Sequence, residues 1–390
     1  MGGPRGPDGA GGPLQAGPGH GALHGLRLQG DGKPRRDAEG LWRDVQQDLC
    51  PRNQPDGPRR ARRKPQRGQL GKAAALRVPH FDVRAGIKKE EESIWRCSIS
   101  RNTARRWAEN SNCSAPLFFI INQAHANGPQ TLKSLVNQGI KIFPLPRIQQ
   151  KDCGLSCFLF AQRSDVGNEF VIDLLRKGSL VISDGAAQKV ASLAVPDCFP
   201  DRFLEIGAGR GTKSLLLQNV ALSRFGKQMA LDTLDVDQSR TKERISRLKQ
   251  ADIVQNEVFC QDATHLSHFS DATYDAVFID APCTGVGTLR RHADIRWRLT
   301  EHEISAMAEK GLTMLKQAAR LVNPGGSLTY ATCTLFKEEN EQVIEAFLKS
   351  EQGNSFSVSS QLLFDDLFHK AQSEPLFDTH FVCKLQKDVS

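Results

Sequence analysis

A glycine-rich turn between a predicted strand and a predicted helix constrains the fold of this chain more than any other feature. The apolar stretch 203–206 predicts the strand, and a helical pattern follows the turn. The turn reads Gly207-x-Gly209-x-Gly211, and an acid, Glu205, lies near the end of the strand. Glycines let the backbone approach a ligand closely, and the free amides at a helix start favour polar groups. The pattern predicts a nucleotide-like cofactor at the edge of an open sheet.

Strands and helices alternate through the rest of the chain, which is typical of a doubly wound, mostly parallel α/β sheet. Shorter strands and helices before residue 195 indicate a separate small α+β unit. The last apolar stretch, 380–385, alternates and predicts an added edge strand. Further strands are predicted at 230–235, 254–260, 274–279 and 327–330, with a long helix at 301–321 that Asn323-Pro324-Gly325-Gly326 would end.

The first 85 residues differ in composition from the remainder. They hold 16 Lys and Arg against 8 Asp and Glu, a surplus equal to the net charge of the whole chain, +8. Gly, Pro and Arg dominate the segment, which predicts a disordered basic tail because it has too little apolar surface to bury. Such a tail would raise non-specific affinity for nucleic acid, and a solvated segment without a dedicated ligand is an equally good interpretation.

Composition also limits the class of protein. The sequence shows no secretory leader and no apolar run near the roughly 20 residues of a membrane span, so we expect no membrane partner. Ten cysteines in 390 residues indicate free thiols in a reducing, cytoplasmic compartment. Cys153-x-x-x-Cys157 has no second pair at zinc-site spacing, so we expect no metal. We expect the chain to be monomeric.

Two more acids follow predicted strands and extend the cofactor prediction. Asp235 comes after the second strand of the sheet, where it suits a ribose diol, and Asp262 comes after the third, where it suits an adenine amine. We also count Arg240 and Asp280 among the predicted cofactor-binding residues. A dinucleotide site is the rival interpretation, which the cysteines of the later loops disfavour because they offer no hydride-transfer partner. A tight turn with a few exposed acids is the structural alternative.

Cysteines follow the fourth and fifth predicted strands of the sheet. Cys283 lies in Asp280-Ala281-Pro282-Cys283 and Cys333 in Ala331-Thr332-Cys333-Thr334. Because the carboxyl ends of adjacent parallel strands border one crevice, both thiols are expected to face one substrate. A thiolate can add to C6 of a pyrimidine and make C5 a carbon nucleophile that takes a methyl group. Asp280 is placed to hold the N3 side of such a ring.

A basic segment follows the first cysteine. Residues 285–298 contain four arginines, a histidine and a tryptophan. This combination suits phosphate contacts together with base stacking, and it predicts an RNA-binding loop. A charged surface loop without a ligand is the alternative.

With these residues in view, the chain resembles the Sun/Fmu-type family of S-adenosylmethionine-dependent RNA cytosine-C5 methyltransferases over residues 115–390. The segment from Asp280-Ala281-Pro282-Cys283 to Trp297 is similar to the fourth motif of that family. Tyr330-Ala331-Thr332-Cys333-Thr334 with Glu338-Glu339-Asn340-Glu341 is similar to the sixth.

The resemblance implies a class I methyltransferase fold, Rossmann-like and mostly parallel, with an antiparallel last strand. Beside the tail (1–85) predicted from composition, it implies a small α+β RNA-binding domain (86–195) and a methyltransferase domain (196–390). It also implies S-adenosylmethionine as cofactor and RNA as partner. For single residues, it implies a covalent bond from Cys333 to C6 and release assisted by Cys283. Asp280 would contact the cytosine, and Lys213, Asp235 and Asp262 would help to hold the cofactor.

The first and last motifs depart from the family pattern. The usual Asp-x-Cys-Ala-Ala-Pro-Gly-Gly-Lys is here Glu205-Ile206-Gly207-Ala208-Gly209-Arg210-Gly211-Thr212-Lys213, and the usual Gly-Phe-Phe is Thr379-His380-Phe381. The resemblance implies an RNA cytosine-C5 methyltransferase, with ribosomal RNA as the first substrate. Transfer RNA is the alternative substrate, and a non-catalytic RNA-binding assembly factor of the same fold is the alternative from another class.

Overall fold

The computed structural model describes residues 101–125, 128–144, 157–160, 162–370 and 377–389. The predicted basic tail, 1–85, lies outside the described residues, as does Cys153 of the weak metal motif. Within the described part, no helix is long and apolar enough to cross a membrane, and no group of acids, cysteines and histidines could hold a metal ion.

The amino-terminal part of the described chain is a four-stranded antiparallel sheet with helices, as the sequence predicts. The strand order is β2-β3-β1-β4, and Phe119 of β1 pairs with Phe158 of β3. Ile120 and Val181 of this sheet bury against core residues of the larger sheet. The strands are β1 (Phe118–Ile121), β2 (Ile142–Pro144), β3 (Cys157–Phe160) and β4 (Leu180–Ile182), and the helices are α1 (Arg101–Ser111), α2 (Gly128–Asn137) and α3 (Glu169–Arg176).

A seven-stranded sheet forms the larger part, and its topology confirms the predicted class I methyltransferase fold. The order is β10-β11-β9-β8-β5-β6-β7, and the strands from β9 to β7 are parallel. The last strand, β11, is antiparallel to both of its neighbours. The strands are β5 (Phe203–Ile206), β6 (Leu231–Asp235), β7 (Val258–Cys260), β8 (Tyr274–Asp280), β9 (Val322–Thr332), β10 (Phe356–Phe364) and β11 (His380–Lys387).

The helices around this sheet begin and end where local chemistry predicts. Asp184 accepts a hydrogen bond from the Ala186 N–H at the start of α4, and Thr300 and Glu303 form a capping box at the start of α8. The helices are α4 (Gly185–Ala194), α5 (Thr212–Phe225), α6 (Gln238–Gln250), α7 (Ile295–Arg298), α8 (Glu301–Ala319), α9 (Glu341–Leu348) and α10 (Asp366–His369).

The prediction of an edge strand over 380–385 is wrong. Strand β11 lies between β9 and β10, and β10 forms the edge of the sheet. Phe381, Val382 and Cys383 are consecutive and all buried, because an inner strand has both faces covered. Most residues of β10 are exposed, and Leu362-Leu363-Phe364 is too short an apolar run for the sequence to reveal this edge strand.

The turn sequence 323–326 does not end a helix directly. Helix α8 ends at Ala319, and residues 323–326 lie inside β9. They form an irregularity between the pairs Tyr274 with Val322 and Ala276 with Ser327. Such bulges absorb extra residues while the ladder continues on both sides.

Candidate active site

Two thiols lie at the carboxyl edge of the large sheet, each in the loop just after a parallel strand. Cys283 follows β8 and Cys333 follows β9, and these strands are hydrogen-bonded neighbours. The two Sγ atoms are 3.3 Å apart, and Cys283 Sγ also accepts a hydrogen bond from the Cys333 backbone N–H at 3.3 Å. Both cysteines are free rather than joined in a disulfide. The structure therefore brings together the two thiols for which the sequence predicts one crevice.

The surroundings make the two thiols chemically different. A hydrogen bond from Cys283 lowers the pKa of Cys333, and Lys213 acts in the same direction against the effect of burial. The pKa of Cys283 is raised well above its usual value, first by its hydrogen bond to Cys333 and then by burial and by the Cys333 charge. The site thus favours a thiolate at Cys333 that accepts a hydrogen bond from a protonated Cys283.

An ion pair lies next to the thiols. Lys213, in the first turn of α5, donates to Asp280 Oδ2 at 2.7 Å, and both side chains are largely buried. Burial acts to lower the pKa of Lys213, but attraction to Asp280 and Cys333 outweighs it and the pKa is raised. The ammonium group therefore stays charged beside Cys333, where it stabilises the thiolate.

The glycine turn closes tightly over the end of β8. All three glycines of the turn have positive φ, and a Cβ on Gly207 would lie 2.3 Å from the Asp280 carbonyl oxygen. Asp235 braces the turn, because its Oδ2 accepts the Gly209 N–H at 2.8 Å. Only glycine fits at position 207, since an added side chain would meet backbone rather than a movable group.

Buried polar groups lie beneath this turn. Arg244 is fully buried and donates to the Gly209 carbonyl oxygen at 2.9 Å. Glu205 is also fully buried, and neither of its carboxyl oxygens makes a well-oriented hydrogen bond to a described residue. Burial raises the pKa of Glu205 to about 8, although Ser214 and Arg244 act in the opposite direction. A cradle of backbone with an unsatisfied buried carboxyl group beside it fits a polar ligand at the turn.

The remaining predicted cofactor residues have local partners. Asp262 is exposed past β7, and its Oδ1 accepts the backbone N–H and the hydroxyl of Thr264. Arg240 lies on α6 and pairs with Asp237 at 3.4 Å. These contacts do not test the cofactor-binding roles predicted for Asp262 and Arg240, which stay predictions.

The prediction that the arginines of 285–298 form a phosphate-binding set is wrong for two of them. Arg290 is almost fully buried and donates to Asp378 Oδ1 through Nε and Nη2, at 3.0 and 2.8 Å. Arg291 joins Asp378 and Asp184, at 2.6 and 2.9 Å. These arginines hold the loop after Cys283 to distant segments because a buried carboxylate needs them as partners.

Other members of the same segment do face outwards. His292, Trp297 and Arg298 are exposed, and Trp297 presents 54% of its surface. Arg296 is half-buried and donates to the Ser111 carbonyl oxygen at 3.0 Å. The exposed side chains alone keep the predicted ability to contact RNA.

Sequence reasoning missed two buried polar residues near the thiols. Glu339 belongs to the segment that resembles the sixth motif of the family, but no role was predicted for it. It is 1% exposed and lies between β9 and α9. His380 begins β11, and because Phe381 pairs with Thr332, the register leads from His380 towards Cys333. Burial and then Lys213 lower the pKa of His380 to about 4, so the ring is neutral at neutral pH. Neither residue stands out locally, because its neighbours at the site come from distant segments.

Comparison with known proteins agrees with this geometry. A family model described as 16S rRNA methyltransferase RsmB/F matches residues 197–374. The ribosomal RNA small subunit methyltransferase B of Shewanella oneidensis is 31% identical over 236 residues, which are 59% of this chain and 53% of that protein. The protein of the same name from Proteus mirabilis is 27% identical over 283 residues, which are 71% of this chain and 60% of that protein. The chain thus spans little more than half the length of these relatives.

Solved structures share the fold. The crystal structure of PH0851 has a TM-score of 0.62 at 24% identity and covers 74% of this chain and 63% of that one. The crystal structure of NSun6 from Pyrococcus horikoshii with SFG has a TM-score of 0.61 at 14% identity and covers 77% of this chain and 98% of that one. The matched family model and the two cysteine loops at one edge of a class I sheet together show that residues 197–374 are similar to the methyltransferases described as RsmB/F.

Proposed function

We propose that this chain transfers a methyl group from S-adenosylmethionine to C5 of cytosine in RNA, with small-subunit ribosomal RNA as the substrate. The observation that carries the proposal is the 3.3 Å contact between Cys283 and Cys333 beside the Lys213–Asp280 ion pair. The relatives named above are ribosomal RNA methyltransferases, which supports ribosomal RNA as the substrate class.

The residues of the glycine turn fit S-adenosylmethionine. No side chain fits at Gly207, because its Cβ would meet the Asp280 carbonyl oxygen, so the turn keeps its backbone uncovered, and Glu205 offers carboxyl oxygens without a good partner. Asp235 and Asp262 would bind the cofactor beside these residues, and Arg240 would bind it at the outer end of the site. When bound, the cofactor supplies an electrophilic methyl group. A relative of the same fold was solved with SFG, an S-adenosylmethionine analogue, which supports the assignment.

The thiols would divide the work on the base. The Cys333 thiolate forms a bond to C6, and the electron pair of the C5–C6 double bond moves towards C5, which then takes the methyl group. Asp280 would hold the N3 side of the ring, while Lys213 offsets negative charge formed during attack. For this attack the base must leave its stack, which single-stranded and loop sites make easiest.

Release needs the C5 proton removed and the bond between Cys333 and C6 broken. The first cause of the raised pKa of Cys283 is its hydrogen bond to Cys333. That cause disappears once Cys333 is bonded to carbon, so Cys283 can then give its proton to water and, as a thiolate, accept the C5 proton. The electrons of the C5–H bond restore the ring double bond and expel Cys333 as a thiolate. The amino-terminal sheet would help to bind the RNA.

The test is methyl transfer from labelled S-adenosylmethionine into transcripts of small-subunit ribosomal RNA and of transfer RNA. Cys333→Ala is expected to abolish incorporation while cofactor affinity is retained. Cys283→Ala is expected to accumulate a protein–RNA adduct that resists denaturant, because release is blocked. Cys198→Ala, at an exposed free cysteine, is the matched control and should behave as the parent.

Each other outcome has a defined meaning. Incorporation into transfer RNA alone would move the substrate to that class. No incorporation by the parent into any RNA, together with tight RNA binding, would favour the non-catalytic assembly factor. Full activity of Cys333→Ala would refute the covalent mechanism.

A further inference from the structure

A buried carboxylate joins the two cysteine loops, and the proposed chemistry does not use it. Glu339 is 1% exposed and lies after β9, on the chain that leads into α9. Its Oε1 accepts the backbone N–H of Thr284 at 2.7 Å, and its Oε2 accepts the Thr284 hydroxyl at 2.6 Å. Thr284 is the residue directly after Cys283, so one carboxylate holds both the backbone and the side chain next to that thiol.

The same carboxylate is fixed to the second cysteine loop. The Thr284 hydroxyl oxygen lies 3.0 Å from that of Thr334, the residue directly after Cys333. The Tyr330 hydroxyl donates to the Glu339 carbonyl oxygen at 2.9 Å, which anchors Glu339 to β9. The residues that follow both cysteines therefore meet at one buried acid.

This arrangement determines how the thiols meet. The Sγ atoms are 3.3 Å apart, so a displacement of either loop by about an ångström would weaken a contact that sulfur makes only at short range. The hydrogen bond from Cys283 is the largest influence that lowers the pKa of Cys333, and the charge of Glu339 is a small influence that raises it. By its position Glu339 supports the hydrogen bond that lowers the pKa of Cys333, whereas its negative charge raises that pKa.

We propose that Glu339 is a positioning residue that holds the two thiols in hydrogen-bond contact, so that Cys283 donates to the Cys333 thiolate. The inference rests on the proposed function and deepens it. Through Thr284 and Thr334, the carboxylate fixes the spacing of the two cysteine loops and so keeps the two sulfurs within hydrogen-bond distance. A hydrogen-bonded acid is required at this place, because an apolar residue would leave the Thr284 N–H and one of the two hydroxyls buried without an acceptor.

The test compares Glu339→Ala with Glu339→Gln by the rate at which iodoacetamide alkylates Cys333 between pH 6 and 10, followed by peptide mass spectrometry. Glu339→Ala removes the brace, so the pH of half-maximal alkylation is expected to rise and the rate at pH 7 to fall at least about tenfold. Glu339→Gln keeps an acceptor for the Thr284 N–H and removes only the charge, so its midpoint should stay or fall. Glu345→Gln, at an exposed acid on α9, is the matched control and should match the parent.

The inference is overturned if Glu339→Ala folds and alkylates Cys333 with the parent profile, because a merely structural acid would not move that profile. If Glu339→Ala does not fold, Thr284→Val gives the same test, since it removes one hydroxyl and keeps the N–H bond to Glu339. The alkylation needs neither RNA nor turnover. If Glu339→Ala shifts the alkylation profile of Cys333 but the parent methylates no RNA, the proposed function is refuted and the positioning role of Glu339 is retained.

Discussion

Replacing Asp378 by alanine should destabilise the protein strongly and loosen the loop after Cys283. Asp378 is 1% exposed and accepts three hydrogen bonds, two from Arg290 at 3.0 and 2.8 Å and one from Arg291 at 2.6 Å. After the substitution, Arg291 would still pair with Asp184. Arg290 would lose its ion pair with Asp378, although its side chain is only 1% exposed. Removing one partner of such a pair leaves a buried charge uncompensated, which costs about 3–5 kcal/mol.

The assay is urea unfolding with a parallel thermal melt. At about 2–4 °C per kcal/mol for a domain of this size, the melting temperature should fall by about 10 °C. The double variant Arg290→Met with Asp378→Leu removes both charges, so it should recover most of the loss. A loss below about 1 kcal/mol in Asp378→Ala, with an unchanged denaturant slope, would refute the view that this pair holds the loop.

Three further results follow from the structure. Gly207→Ala should abolish cofactor binding because its Cβ meets the Asp280 carbonyl oxygen, whereas Gly226→Ala has a similar positive φ with open space and should leave binding intact; isothermal titration compares them. The carboxyl of Glu205 is protonated in the folded state up to about pH 8 but ionises near 4.5 when unfolded, so unfolding releases a proton and stability should fall as pH rises between these values; melts of Glu205→Gln should lose this dependence. Arg298→Ala should lower the salt slope of RNA binding by about 0.7 without changing the melting temperature, and an unchanged slope would contradict a phosphate contact.

The parts of the site that the sequence predicts are those carried by neighbours along the chain. The glycine turn follows β5 and opens α5, and Cys283 and Cys333 each follow a strand of the same sheet. A parallel sheet brings such positions to one edge whatever the rest of the chain does. The order of the strands could therefore be predicted well enough to place both thiols together.

Positions that depend on distant partners could not be predicted. Arg290 stands in a basic run and is typical of an RNA-binding loop, yet it pairs with an acid 88 residues away. Glu339 meets Thr284 across 55 residues. Strand β11 was expected at an edge because its apolar pattern alternates, but β10 pairs along its outer side and core residues cover both of its faces.

The amino-acid sequence by itself determined the alternation of strands and helices, the tight turn at the glycines and the position of each cysteine just past a strand. Backbone sterics and apolar periodicity act over a few residues, so they can be read along the chain. Only the tertiary structure decided which charged side chains are exposed and which are buried as pairs, and how close the two sulfurs come. Burial and ion pairing depend on which segments meet in space, and that is a property of the whole fold.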